Sequence, residues 1–251
     1  MSLKDSSSEK FDHSHAMEYE VQSRIALAGY DACHELSACM LTAKLGRVPN
    51  ANILVVGAGG TAEEVYRIAT LEPEWRFTAV DPSAAMLECA KTRLAERDLS
   101  EKVRIIHGYV HDLPNDRCFD AATLIGVLHH IKAGEDKLDL LKAIAERLRP
   151  NSPMILACNY LRYESEPLFL SAWQQRWKMA GISSDEASRK LGKILEGARP
   201  VESEEEVDSL LAQAGFKRTK RFFSSLFLGG LDCILISCFY NYYVEDNRTA
   251  D

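Results

Sequence analysis

The stretch Ile53-Leu-Val-Val-Gly-Ala-Gly-Gly-Thr-Ala-Glu-Glu64 decides the fold of this chain. Four apolar residues run into a glycine cluster, and the cluster runs into a helix-forming segment. A second apolar run, Phe77-Thr-Ala-Val80, ends in the carboxylate of Asp81, which follows Gly57 by 24 residues. This order predicts a β-α-β unit in which glycines let the backbone approach a ligand, and an acid about 20 residues further on accepts hydrogen bonds from ribose hydroxyls. The motif therefore predicts a nucleoside site and leaves open which nucleoside it binds.

The composition is that of an ordinary folded protein, with 46% hydrophobic and 27% charged residues among 251. The net charge of −7 argues against broad nucleic-acid binding, which depends on neutralising phosphates. One basic run, Lys217-Arg-Thr-Lys-Arg221, is expected to be the solvated face of an edge strand. We therefore expect a small-molecule substrate and no nucleic-acid partner.

The seven cysteines are scattered singly and form no C-x-x-C motif. This usage indicates reduced thiols in a cytoplasmic protein, without a disulfide framework or a metal site. No apolar run approaches 18 residues, so we expect no membrane span. Residues 1–10 are polar and Ser-rich, which predicts a disordered start and no signal peptide, and 241–251 are expected to form a tail.

Short apolar strands alternate with helical segments through the middle of the chain, at residues 53–56, 76–80, 103–107, 119–125 and 154–158. Two further strands, at 216–224 and 233–239, are expected around a hairpin turn at Leu228-Gly-Gly230. The predicted fold is therefore α/β: a doubly wound, mostly parallel seven-stranded sheet with a terminal antiparallel hairpin. A single domain over 11–240 is expected, with N-terminal helices at 11–48 and a helical lid insertion at 160–200.

An ordered set of motifs resembles the class I S-adenosylmethionine (SAM) dependent methyltransferases. The motifs are the glycine loop at 57–60, Asp81, Ser83-Ala-Ala-Met86, the segment 119–131, the turn 148–156 and Leu211-Ala-Gln-Ala-Gly-Phe216. The resemblance covers about residues 50–240 and implies a Rossmann-like enzyme that uses SAM and releases S-adenosylhomocysteine (SAH). A nicotinamide dehydrogenase would more often have a third loop glycine in register, where this chain has Thr61.

The resemblance also implies a role for individual residues. Gly57, Ala58 and Gly59 would line the methionine and ribose part of SAM, and Asp81 would hold the ribose hydroxyls. The residues implied for the rest of the cofactor are Pro82 and Met86 beside the adenine, the 109–113 loop with Tyr109 and the Val110 N–H at its edge, and Ile125 and Gly126 under the sulfonium.

Three positions depart from the family pattern. Val55 stands where an acid usually begins the glycine motif, Tyr109 stands where the adenine loop usually has an acid, and Thr61 replaces a glycine. Asp112 is expected to compensate, or Tyr109 to stack on the base. The same departures keep open a non-catalytic nucleoside-binding protein with this fold.

The flanks are similar to those of the carboxy-S-adenosylmethionine synthase family, in Ala28-Gly-Tyr30, the insertion near 165–198 and Val201-Glu-Ser203. This resemblance implies that Tyr30 reaches the cofactor and that the chain forms a homodimer. That family binds the extra carboxylate with an arginine in the insertion, where this chain has Gly192. The difference favours plain methyl transfer over carboxy-SAM synthesis.

Methyl transfer needs a base only when the acceptor must lose a proton early. The base predicted here is His129, with His130 and His111 as weaker candidates and packing against the sheet as the alternative role. Trp173 and Trp177 stand at i and i+4, which predicts a core stripe.

Overall fold

The computed structural model describes residues 22–46 and 48–236. Within them, seven strands form one sheet in the order β3-β2-β1-β4-β5-β7-β6. The strands are β1 (Asn52–Val56), β2 (Arg76–Asp81), β3 (Val103–His107), β4 (Ala121–Ile125), β5 (Pro153–Asn159), β6 (Phe216–Ser225) and β7 (Leu228–Leu235). The first five are parallel, and β7 pairs antiparallel with both β5 and β6. The predicted fold class is confirmed.

Helices cover both faces of this sheet. They are α1 (Tyr30–Leu45), α2 (Glu63–Leu71), α3 (Ala84–Ala95), α4 (Gly134–Arg147), α5 (Pro167–Met179), α6 (Ser184–Gly197) and α7 (Glu204–Gln213), with a short helical stretch at 22–26 before α1. Gly29, with φ +80°, separates that stretch from α1. Ser83 is the N-cap of α3, because its Oγ accepts the Met86 N–H at 3.3 Å.

The position of strand β1 explains why residues 53–56 are all apolar. Ile53 and Val55 face one buried cluster, and Leu54 and Val56 face the other. A strand that is covered on both faces has a continuous apolar sequence, as expected for the centre of a parallel sheet. The strand order reverses between β1 and β4, and open sheets of this kind bind ligands at the carboxyl ends of the strands beside that reversal.

The prediction for the hairpin turn was wrong. The turn lies at residues 226–227, where Leu226 has φ +49°, and Leu228–Gly230 belong to β7. Gly229 and Gly230 serve packing instead: a Cβ on Gly229 would lie 2.7 Å from the Tyr160 ring, and one on Gly230 would lie 2.8 Å from the Phe222 ring. The end of the predicted second strand, 237–239, lies outside the described residues, as do 1–10 and 241–251.

The insertion contains α5 and α6, which are joined by an aromatic cluster. Trp173 and Trp177 are almost fully buried there, with 2% and 1% exposure, so the predicted core stripe is confirmed. In the basic run, Arg218 pairs with Glu204 and Asp208 of α7, and Arg221 also pairs with Glu204. The run is therefore partly neutralised by the neighbouring helix.

The described part of the chain contains six cysteines, and all six are free; Cys238 lies outside it. Over the same residues, His, Cys, Asp and Glu side chains form no group of three that could hold a metal ion. No helix among the described residues is both long and apolar enough to cross a membrane.

Candidate active site

The glycine turn begins at the carboxyl end of β1, where Gly57 has no room for a side chain. Gly57 has φ +72°, and its N–H donates to the carbonyl of Val80 at 2.8 Å. A Cβ on Gly57 would lie 2.2 Å from Val127 Cγ2, on the loop after β4. Glycine is required here both by the backbone conformation and by this contact. The turn thereby brings the ends of β1, β2 and β4 together.

Asp81 ends β2 and fastens the glycine turn to the start of α3. Its Oδ2 accepts the Gly59 N–H at 3.2 Å, and its Oδ1 accepts the Ser83 N–H at 2.8 Å. Burial raises the pKa of Asp81, while the two backbone N–H groups and His107 oppose that shift. Met86 completes the group, since its Cε lies 3.2 Å from where a Gly59 Cβ would stand. The predicted residues Gly59, Asp81 and Met86 therefore form one small crevice.

Tyr30 reaches the glycine turn from α1. Its hydroxyl lies 2.8 Å from Thr61 Oγ1, and both side chains are buried. Thr61, which replaces the third loop glycine, thus provides the hydrogen-bond partner that joins the N-terminal helix to the turn. The predicted contact of Tyr30 with a cofactor stays a prediction.

The 109–113 loop follows β3 beside Asp81, whose carbonyl accepts the Gly108 N–H at 3.1 Å. Asp112 Oδ2 accepts the Tyr109 N–H at 2.8 Å, and the Tyr109 ring stacks on His111 with centroids 5.4 Å apart. Asp112 therefore stabilises the loop, and Tyr109 packs within it. Val110 holds the loop to the core through its buried side chain.

Arg147, at the end of α4, fixes this loop and was missed by the sequence reasoning. Its guanidinium is buried and donates to the carbonyls of Leu113 at 2.7 Å and His111 at 2.9 Å. It also donates to Ala143 at 2.8 Å within its own helix. An arginine 34 residues from its main partner gives no local sequence signal. The order of the predicted adenine loop therefore depends on a distant side chain.

Two buried carboxylates behind the glycine turn were also missed. Glu63 is contacted by Arg67 at 2.8 Å, Arg97 at 3.4 Å and Arg24 at 3.8 Å. Glu64 lies 3.8 Å from His34 Nε2, and burial raises its pKa. The arginines come from α2, from the segment after α3 and from the stretch before α1, so they tie three parts of the chain to the start of α2.

The end of β4 forms the other side of the crevice. Ile125 is buried, and Gly126 has φ +75° with its N–H donating to Ala157 at 2.8 Å. Leu27 lies over Gly126, because its Cδ1 is 3.6 Å from where a Gly126 Cβ would stand. The segment before α1 therefore covers the carboxyl ends of the central strands.

His129 is held by a different group of residues. It is 4% exposed, its Nδ1 accepts the Asn159 N–H at 3.4 Å, and its carbonyl accepts the Arg199 N–H at 2.7 Å. Burial, with smaller contributions from His130 and Lys137, lowers the pKa of His129 well below 6.5. The ring is therefore neutral at pH 7, with its proton on Nε2 because Nδ1 is an acceptor. This arrangement supports a packing role better than that of a general base, which stays a prediction.

Comparisons with known proteins agree with this geometry. Residues 54–154, which run from β1 to the start of β5, match a family model described as a methyltransferase domain. The chain has the class I methyltransferase fold. It is 31% identical over 108 residues to the mitochondrial ubiquinone biosynthesis O-methyltransferase of Schizosaccharomyces pombe. That match covers 42% of this chain and only 36% of the yeast protein.

Two solved methyltransferases illustrate the fold. Mitomycin 7-O-methyltransferase has a TM-score of 0.61 at 16% identity, over 90% of this chain and 61% of that one. The Burkholderia thailandensis 1,6-didemethyltoxoflavin-N1-methyltransferase, solved with its acceptor and SAH, has a TM-score of 0.57 at 18% identity, over 94% of this chain and 93% of that one. At these identities the likeness establishes the fold alone.

Gly192, the position of the carboxylate-binding arginine in the carboxy-SAM synthases, lies in α6. A Cβ there would meet no atom within 4 Å, so the position faces open space. The neighbouring Lys190 lies 3.8 Å from Glu186 on the same helix. These surroundings argue against a carboxylate-binding site at Gly192.

Proposed function

We propose that this chain is a SAM-dependent methyltransferase that methylates a small-molecule acceptor. The observation that carries the proposal is the Asp81 carboxylate, held by the Gly59 N–H at the carboxyl end of β2. A buried acid beside a glycine turn at the point where strand order reverses is the arrangement that binds a nucleoside.

The residues present fit the cofactor. Gly57 and Gly126 both have positive φ, at the ends of the neighbouring strands β1 and β4, so the backbone forms a cradle that side chains would fill. Asp81 has acceptor capacity for ribose hydroxyls beyond its two backbone bonds. We assign Gly57, Ala58 and Gly59 to the methionine and ribose part, as the resemblance implies.

The remaining contacts are assigned by position. Pro82, Met86, Tyr109 and Val110 surround the proposed adenine site, with the Val110 N–H as a donor to the ring. Ile125 and Gly126 lie below the proposed sulfonium, and Tyr30 closes the site from α1 through Thr61.

SAM supplies a methyl group that is already activated by its positive sulfur. The protein therefore mainly aligns the acceptor with that carbon, and alignment alone contributes on the order of 7–11 kcal/mol at best. Ile125, Gly126 and the covering Leu27 would exclude water from the reacting atoms. His129 is the base candidate for an acceptor that must lose a proton, although its Nδ1 is occupied by the Asn159 N–H.

The relatives support a small-molecule acceptor, since their names specify ubiquinone biosynthesis, mitomycin and toxoflavin chemistry. The net charge of −7 and the ion-paired arginines of β6 support the absence of a nucleic-acid substrate. We further propose a cytoplasmic enzyme, on the basis of its free cysteines, and a homodimer, on the basis of the flanking resemblance.

Calorimetric titration with SAM and SAH tests this function. We expect both to bind with one site per chain, and we expect adenosine to bind more weakly because it lacks the methionine part. Mass spectrometry of acceptor mixtures incubated with SAM then detects products heavier by one methylene. Binding without any methylated product would favour the non-catalytic alternative, and no binding of either nucleoside would refute the proposal.

A further inference from the structure

A row of buried polar side chains connects α1 to the proposed ribose acid through the glycine turn. Each of its members is less than a tenth exposed, and they are Glu64, His34, Tyr30, Thr61 and Asp81. Polar side chains that are removed from water need partners, so the contacts along this row are informative. The proposed reaction uses Asp81 and Tyr30, but it gives no role to His34 or Glu64.

His34 fixes Tyr30 from within α1. Its Nδ1 lies 2.9 Å from the carbonyl oxygen of Tyr30, one helical turn earlier. A carbonyl oxygen only accepts hydrogen bonds, so Nδ1 carries a proton. The two rings also pack against each other, with centroids 4.1 Å apart. His34 therefore holds both the backbone and the ring of Tyr30.

Tyr30 extends this contact into the glycine turn. Its hydroxyl lies 2.8 Å from Thr61 Oγ1, and Thr61 Oγ1 donates to the Gly59 carbonyl at 3.5 Å. The Thr61 N–H donates to the same carbonyl at 2.5 Å. On the other side of this residue, the Gly59 N–H donates to Asp81 Oδ2 at 3.2 Å. The position of the turn beside the ribose acid therefore depends on the orientation of Tyr30.

The other ring nitrogen of His34 faces Glu64, with Nε2 and Oε2 3.8 Å apart. Because Nδ1 is protonated, a neutral ring presents a lone pair at Nε2. An ionised Glu64 would then be a buried charge that faces a lone pair, which is a costly arrangement. One proton between the two groups, on Nε2 or on the carboxyl, avoids this cost. Burial raises the pKa of Glu64, which favours keeping that proton.

The remaining ionisable groups near Glu64 are Cys33 of α1, Glu63 of α2 and Asp81 of β2. Burial raises the pKa of Cys33 to about 12, so its thiol is neutral. Glu63 is held by three arginines. None of these three groups can supply a positive charge, so His34 is the group that compensates an ionised Glu64.

We propose that His34 and Glu64 are a positioning pair that shares one proton and, through Tyr30 and Thr61, holds the glycine turn ready to bind SAM. This inference rests on the proposed methyltransferase function and adds the residues that set the affinity of its cofactor site. Loss of the proton at alkaline pH leaves Glu64 charged against the Nε2 lone pair, which separates α1 from α2 and releases Tyr30. Because binding needs the turn to be held, the SAH complex keeps this proton more tightly than the free protein does.

Calorimetric titration of SAH into the full chain, between about pH 6.5 and 9, tests the pair. The main variant is Glu64→Gln, because its amide keeps the size of the side chain and can donate to Nε2 at every pH in this range. The quantity compared is the Kd of the wild type divided by the Kd of Glu64→Gln, in which the titration of SAH itself cancels. We expect this ratio to rise about threefold or more toward alkaline pH. A constant ratio would overturn the proposal.

Tyr30→Phe separates positioning from a direct effect of charge on the ligand. Removal of the hydroxyl should weaken SAH binding by roughly fivefold. In this background Glu64→Gln should no longer change the pH dependence of the Kd, because the pair has lost its contact with the turn. A ratio that still rises would overturn the role of Tyr30. If Glu64→Gln fails to fold, the ratio of the wild-type Kd to the Tyr30→Phe Kd should show the same rise.

Glu63→Gln is the matched control. It makes the same chemical change one residue earlier, beside arginines that keep their charge throughout this pH range. Its ratio to the wild-type Kd should be constant, and the same rise as in Glu64→Gln would overturn the pair. Ring ¹⁵N spectra of the wild type should show a protonated Nδ1 on His34 at both ends of the range. An unprotonated Nδ1 would also contradict the proposal.

The outcomes separate the two proposals. Failure of the wild type to bind SAH at every pH would refute the methyltransferase function. SAH binding with a constant ratio between wild type and Glu64→Gln would overturn the positioning pair alone.

Discussion

The crevice at the glycine turn and the aromatic cluster of the insertion are built in different ways. The crevice is made of backbone: glycines with positive φ, an aspartate that accepts two main-chain N–H groups, and a capped helix start. The aromatic cluster is made of side chains from the insertion, the β6–β7 turn and the segment before α1, packed around Trp173 and Phe227. Backbone sites require particular residues at fixed spacing, whereas packed clusters accept many residue combinations.

This contrast separates cofactor binding from packing. The crevice would hold the cofactor, whose chemistry is the same in every methyltransferase of the class. Changes in the crevice should therefore affect SAH binding, and changes in the aromatic cluster should affect mainly stability.

The largest effect on stability and on SAH binding is expected from Gly57→Ala. The new Cβ would overlap Val127 Cγ2 at 2.2 Å, and the residue would be held at φ +72°. Left-handed strain of about 1–2 kcal/mol and overpacking of about 1–3 kcal/mol should together destabilise the protein by about 2–5 kcal/mol. Urea unfolding measures the loss, and calorimetry should show that SAH binding is lost as well.

Gly192→Ala is the matched control. Gly192 lies in α6 with open space around it, so alanine should stabilise the helix by about 0.5–1 kcal/mol. Equal destabilisation by the two substitutions would contradict the view that the glycine turn is defined by backbone geometry.

A slightly smaller effect is expected from Arg147→Met. The carbonyls of Leu113 and His111 would lose their buried donor, at about 1–3 kcal/mol for each group left unsatisfied. Because the hydrogen bond to His111 is only partly buried, it contributes less than the one to Leu113, and the expected loss in the free energy of unfolding is about 2–4 kcal/mol. SAH binding should weaken as well, because the 109–113 loop loses its anchor. Thermal unfolding and SAH titration measure the two effects.

Arg149→Met serves as the comparison, since Arg149 is exposed and pairs with Asp120 at the surface. Surface ion pairs contribute about 0–1 kcal/mol, so this variant should differ little from the wild type. Unchanged SAH affinity in Arg147→Met would show that the loop does not take part in cofactor binding.

The smallest expected effect is the dependence of stability on pH that His129 causes. Because the pKa of His129 is lower in the folded protein than its ordinary 6.5, the unfolded chain takes up a proton that the folded protein does not. The free energy of unfolding therefore falls as the pH drops below 6.5, and the part due to His129 is on the order of 1 kcal/mol over the first pH unit. His129→Asn should remove this dependence between pH 7.0 and 5.5 in urea unfolding.

His130→Asn is the control, because His130 is exposed and should leave the pH dependence nearly unchanged. Turnover of His129→Asn at pH 7 tests the other role. A fall of about 100-fold or more would be the size expected for a lost general base. A change of less than threefold would favour the packing role.

The sequence predicted most of the fold and the crevice because their signals are local. The apolar runs of β1 to β5 and the glycines at 57–60 each act within a few residues. The turn at residues 226–227 was missed because Gly229 and Gly230 look like turn residues but make room for the Tyr160 and Phe222 rings. Those contacts depend on pairing across the sheet.

The long-range residues of the site could not be predicted for the same reason. Arg147 reaches a loop 34 residues away, and Glu63 is contacted by arginines from three segments. The Trp173 stripe was correctly predicted to be buried, but its partner Phe227 is set by the position of the hairpin. Residue spacing along the chain carries no information about such long-range contacts.

The central claim is that Asp81 holds the ribose of a bound nucleoside, and titration of SAH into wild type and Asp81→Asn tests it most directly. Asparagine keeps the size of the side chain and one acceptor oxygen but removes the charge. A lost charged hydrogen bond costs about 1.5–3 kcal/mol, which corresponds to a Kd raised roughly 10- to 150-fold. We predict that rise, together with a loss of about 1–3 kcal/mol in the free energy of unfolding, because the amide NH2 of the asparagine cannot accept one of the two backbone N–H groups. An unchanged Kd in a folded Asp81→Asn protein would contradict the account.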